Sequence, residues 1–128
     1  MPITALYAGL LALVFVALSL RVIFARRDAR VALGDGGDRE LLRRMRVHAN
    51  FAEYTPIALI LIGLAESLRV NSMLLHGLGA AFVIGRLSHA WGVSQQKETL
   101  AFRQAGMLTT FTVIIVAALA CLSASFTR

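Results

Sequence analysis

Four apolar stretches, separated by polar breaks, organise this chain of 128 residues. The first, Ile3–Leu20, carries no charge and no proline. It approaches the roughly 20 residues that a helix needs to span a hydrocarbon core, and the span is predicted over about 3–24. The second starts near Met45 and continues to about Leu68, with its polar residues confined to the first turns. Pro56 lies inside it, where the missing N–H and the ring clash predict a kink near Ala52–Pro56. The third covers about 73–93 and the fourth about 105–124, with Met107–Ser123 its most apolar part. Thr109, Thr110 and Thr112 in the fourth can bond back to their own helix or across to another.

The breaks set the topology. Arg69-Val70-Asn71-Ser72 is short enough to force the second and third helices antiparallel. Gly34-Asp35-Gly36-Gly37-Asp38 is a glycine-rich turn, and it matches neither GxxxxGK[ST] nor GxGxxG. Ser94-Gln95-Gln96-Lys97-Glu98 makes the last turn. The predicted fold is therefore all-α: a single transmembrane domain, residues 1–128, with four helices running up-down-up-down.

Composition agrees with a lipid-solvated chain, since 58% of the residues are hydrophobic and 16% charged, against a usual figure of about 25% charged. Charge then orients it. Eight of the thirteen basic residues fall between Arg21 and Arg46, and Arg86, Lys97 and Arg103 flank the last turn, leaving Arg69 and Arg128 for the other side. This asymmetry predicts cytoplasmic charged loops and both termini outside. Positive charge following the first apolar run, rather than preceding it, reads as a retained span and not a signal peptide. The net charge of +6 lacks the aromatic-interleaved basic module of a nucleic-acid binder, so no nucleic-acid partner is expected. Cys121 alone permits no intramolecular disulfide.

Candidate chemistry lies where polar residues continue into a span. Arg46, Asn50 and Glu53 are spaced i, i+4, i+7 and share one helix face, with Arg43 a turn earlier. A carboxylate two turns inside a membrane helix is costly alone, so Glu53 should face protein or a water-filled cleft and a cation such as Arg26, Arg46 or Arg86. Arg86 and His89, spaced i, i+3, supply a matching polar face from the third helix. The pattern fits an interhelical ion-pair network that only fixes packing, and equally a pocket for an anionic ligand whose carboxylates arginine grips bidentately. His48 reads as a packing histidine, and no HExxH or Cys/His spacing predicts a metal. Glutathione would use every group here: arginines for its carboxylates, Glu53 for its ammonium, and an adjacent arginine to favour its thiolate.

Arg46-x-His48-x-Asn50-x-x-Glu53-x-x-Pro56 resembles the second-helix signature of the membrane-associated proteins in eicosanoid and glutathione metabolism, which include microsomal glutathione transferases and leukotriene C4 synthase. Val22-Ile23-Phe24-Ala25-Arg26-Arg27 and Gly85-Arg86-Leu87-Ser88-His89 extend the likeness over nearly the whole chain. The glycine loop and Arg103-Gln-x-Gly106-Met107 look like a bacterial inner-membrane subgroup. The resemblance implies a homotrimer with glutathione as co-substrate, bound near the cytoplasmic side by Arg26, Arg46, Asn50, Glu53, Arg86 and His89. It also implies a lipophilic small-molecule substrate arriving from the membrane lipid. The family's thiolate-stabilising arginine corresponds to Arg103, with Arg27 the second candidate. Val93 stands where several members have tyrosine. The implied activity is a glutathione-dependent transferase or peroxidase. The alternatives are a non-catalytic membrane protein whose Arg/Asn/Glu cluster binds an anionic ligand or fixes oligomer packing, and a channel using Glu53 and His89 as relays.

Overall fold

The computed structural model describes residues 1–97 and 99–127. Glu98, which closes the predicted last turn, and Arg128, the expected outer charge, lie outside the described residues. Four helices make up the fold: α1 (Pro2–Ala29), α2 (Arg39–Ser67), α3 (Ser72–Ser94) and α4 (Leu100–Phe126). Among the described residues, α1, α2 and α4 are long and apolar enough to cross a membrane. At 23 residues α3 is also long enough, but His76, Arg86 and His89 dilute its apolar character. Large side chains such as Leu13, Ile60, Ile84 and Leu108 point outward all around the bundle, as lipid solvation requires and water would not tolerate. The chain is a four-helix membrane bundle.

The helices outrun their apolar spans at the basic end, and local chemistry explains each extension. Arg30 ends α1 in the left-handed conformation at φ 54°, and Gly34, Gly36 and Gly37 continue with positive φ through the loop. Asp38 then caps α2 by accepting from the Leu41 amide at 3.0 Å. Glu40 follows in the first turn and accepts from Arg44 Nε at 2.8 Å across one turn. These two acidic residues start α2 at Arg39, ahead of the span predicted from Met45. The helix is continuous through Pro56. At the other end Arg69 turns the chain at φ 57°, and Asn71 Oδ1 caps α3 through the Met73 amide at 2.8 Å.

Packing is uneven. α2 touches all three other helices, whereas α1 and α4 do not meet. The α3–α4 seam is the closest, because glycines bring the backbones together. A Cβ on Gly106 would lie 2.6 Å from the Gly85 carbonyl oxygen, and one on Gly92 would lie 2.8 Å from the Arg103 nitrogen. Thr109, Thr110 and Thr112 all bond back within α4 at 2.8 Å. Between the helices Leu11, Val47, Phe51, Ile62, Phe82 and Val113 form the core.

The end that holds the α2–α3 turn is closed by one carboxylate. Glu66 at the end of α2 accepts from the Ile3 amide at 3.0 Å, the Thr4 amide at 2.8 Å and the Thr4 hydroxyl at 2.6 Å. It thus caps the first turn of α1, whose own leading residue offers no side-chain cap. Nearby, the Tyr7 hydroxyl bonds the His76 ring and carbonyl at 3.1 Å, with its ring packed on Gly79.

Candidate functional site

At the opposite end α2, α3 and α4 enclose a cleft of about 360 Å³. From α2 it is lined by Arg39, Leu42, Arg43, Arg46 and Asn50, from α3 by His89 and Val93, and from α4 by Arg103. Arg39, Arg43, Arg46 and Asn50 fall on one stripe, each about one helical turn from the next, with Leu42 beside it. Gly92 and Gly106 let α4 pass close enough to α3 to bring Arg103 to the same opening.

Beneath the cleft lies Arg86, 1% exposed. Its Nη1 donates to Asn50 Oδ1 at 2.6 Å, and its Nη2 lies 3.4 Å from Met107 Sδ. The guanidinium also sits over the rings of Tyr54 and Phe82, at 5.7 Å and 6.0 Å. Its Nε has no hydrogen-bond partner among the described residues. The buried cation is therefore held by neutral dipoles and π faces, with no carboxylate among the described residues paired to it. Two consequences follow. The positive potential of Arg86 extends toward the cleft through Asn50, and the Asn50 oxygen is committed, leaving its NH2 edge to donate.

The rim is braced by backbone carbonyls. Arg43 donates to Gln95 O at 2.7 Å and to Gln96 O at 2.9 Å, tying α2 to the turn after α3. His48 leaves this face altogether: it bonds Ser19 at 3.0 Å and stacks on Phe15.

The structure thus brings Arg46, Asn50, His89 and Arg103 together around one cleft, with Arg86 directly below. It places the remaining sequence candidates elsewhere on the single chain. Arg26 donates to the Gly34 carbonyl at 2.8 Å and reaches Met45 Sδ at 3.5 Å, pinning the glycine loop. Arg27 is exposed and pairs with its neighbour Asp28 at 3.4 Å. Glu53 is exposed on the flank of α2, and neither it nor Arg46 has an ion pair among the described residues. The sequence pattern overlooked Arg39, because the helix was expected to begin at Met45. The missing signal was Asp38 as a cap, which adds the turn that carries Arg39 onto the stripe.

The likeness to known proteins covers this whole architecture. The MAPEG family model matches residues 4–123. The chain belongs to the MAPEG family. Two relatives carry the name inner membrane protein YecN, one from Escherichia coli strain K12 and one from Escherichia coli O6:H1. Each is 36% identical over 118 residues, covering 92% of this chain and 88% of the relative. The matched MAPEG region takes in every residue of the cleft.

Proposed function

We propose that the cleft binds glutathione and activates its thiol for transfer to a lipophilic electrophile or for reduction of a lipophilic hydroperoxide. The convergence of Arg39, Arg43, Arg46 and Arg103 with Asn50 and His89 in one cleft carries this reading. Guanidinium forks suit the two carboxylates of glutathione, and the Asn50 NH2 edge suits a peptide carbonyl. Arg103, at the mouth nearest α4, stabilises the thiolate electrostatically. The thiolate then forms a carbon–sulfur bond with the electrophile while the departing group, or the atom that accepts the electron pair, takes up a proton. With a hydroperoxide, two glutathione molecules give the disulfide, the alcohol and water.

The assembly belongs to the same proposal. Arg46 and Glu53 both present charge on an exposed face of α2, which an isolated helix in lipid disfavours. A homotrimer covers that face with a neighbouring subunit and places Glu53 where it meets the ammonium group of glutathione. The basic loops lie in the cytoplasm and the chain in a bacterial inner membrane, in keeping with the charge asymmetry and with the name of the relatives.

One observation favours a second reading. The buried Arg86–Asn50 bond ties α2 to α3 whether or not a ligand binds, as expected of a cluster that only fixes packing. Calorimetry with glutathione on the detergent-purified protein, together with its ultraviolet thiolate absorbance, separates the two. The enzyme reading expects binding in the wild type and a loss of about tenfold or more in Arg46→Ala, the worth of a charged hydrogen bond, with trimers intact in Arg46→Ala and Glu53→Gln. Absence of both binding and thiolate signal in the wild type, with trimers that dissociate in the variants, establishes the packing reading instead.

A further inference from the structure

A second cleft, of about 600 Å³, opens between α1 and α3 on the face of α3 turned away from His89 and Val93. It exists because α1 packs mainly on α2 and only sparingly on α3, and because Ala17 and Ala90 leave its floor deep. Its walls are apolar along the bundle, from Val14 to Leu87, and it ends at the basic end in Arg21, Ser94 and Trp91.

That ending is chemically specific. The Arg21 guanidinium donates to Ser94 Oγ at 3.2 Å, and the Ser94 hydroxyl in turn donates to the Ala90 carbonyl. No carboxylate among the described residues pairs with Arg21. Arg44, paired with Glu40, donates through Nη1 to the Arg21 carbonyl at 3.3 Å and braces that turn of α1. Trp91, half-exposed and edge-on to Phe102 at 4.8 Å, sits at the depth where an indole marks the membrane interface. An occupant must therefore be a long apolar chain with an anion at its polar end. A soluble anion makes no use of the walls, and a zwitterionic headgroup brings its ammonium toward Arg21.

We infer that this cleft seats an acyl chain of an anionic phospholipid, with the headgroup phosphate on Arg21. The site is separate from the basic cleft: Arg43, which lines that cleft, bonds the Gln95 carbonyl between the two, and neither proposal depends on the other.

Trp91 is the chain's only tryptophan, so its fluorescence reports on this cleft directly. The full-length protein is reconstituted in mixed vesicles containing brominated phosphatidylglycerol or brominated phosphatidylcholine, and quenching is followed against mole fraction. The brominated phosphatidylglycerol should quench at about fivefold lower mole fraction, the effect of one basic group at an anionic surface. Arg21→Gln should abolish that preference, Arg21→Lys should keep it, and Ala17→Phe, which fills the cleft, should reduce quenching by both lipids. Equal quenching by the two lipids in the wild type overturns the proposal, as does a preference that survives in both Arg21→Gln and Ala17→Phe. Absence of quenching by either lipid overturns it too, and assigns the cleft to a helix of a second copy. If Arg21→Gln loses helicity, Arg21→Lys and Ala17→Phe still decide the matter.

Discussion

The two ends of this bundle treat charge in opposite ways. At the α2–α3 end a single carboxylate, Glu66, is saturated by three donors from the start of α1. At the other end the cleft gathers Arg39, Arg43, Arg46 and Arg103. There Arg86 is held by the neutral Asn50, and Arg43 by the Gln95 and Gln96 carbonyls. Such a charge is a fastening, because both its oxygens are engaged inside the fold. A cleft walled by guanidinium groups suits an anion, because charge-assisted, bidentate hydrogen bonds to carboxylates are the strong ones.

Three substitutions probe this contrast. The largest effect is expected from Gly106→Leu, which forces α4 away from Gly85 and His89 and disperses the basic wall. Overpacking of this kind costs about 3 kcal/mol, read as an earlier loss of helical signal on titration with denaturing detergent, together with loss of glutathione binding. Next comes Glu66→Ala, which should loosen only the fastened end. Hydrogen exchange at the Ile3 and Thr4 amides should rise and the melting temperature should fall, while glutathione affinity stays at the wild-type value. A drop in affinity here breaks the contrast, because it shows the two ends to be coupled. Arg27→Ala should do least. Its guanidinium is exposed, pairs with Asp28 and lies over the Phe24 ring, and exposed contacts of this kind contribute little, so binding, thiolate absorbance and stability should all match the wild type. A loss of thiolate signal in Arg27→Ala moves the activating role from Arg103 to Arg27.

Much of this architecture was legible before any coordinates. Hydropathy reports the helices because lipid, unlike water, forbids exposed polar backbone and long polar faces. For the same reason the polar stripe through Arg46 and Asn50 was conspicuous against an apolar background. Arg103 was reached through family resemblance, since its position at the cleft depends on the approach of α4 at Gly92 and Gly106, and no periodicity encodes such an approach. Arg39 stayed hidden behind a cap at Asp38 that extends α2 beyond its apolar run. Glu66 carried no such signal. Its role depends on residues more than 60 positions away, at the beginning of the chain. Arg26 is similar: its bonds to the loop carbonyls arise from the left-handed turn at Arg30, which the sequence there does not advertise.

That α1 and α4 never touch bears on how the chain is made. Helices leave the ribosome in order, and early segments associate while later ones are still being synthesised. Here α1 and α2 can close into a hairpin that already contains Leu11, Val47 and Phe51. α3 then joins through α2, and α4 zips onto α3 along its glycines. The last helix to emerge has no contact to make with the first and displaces nothing to reach its place. Biogenesis can therefore run in one direction, each segment docking only on neighbours already in the bilayer.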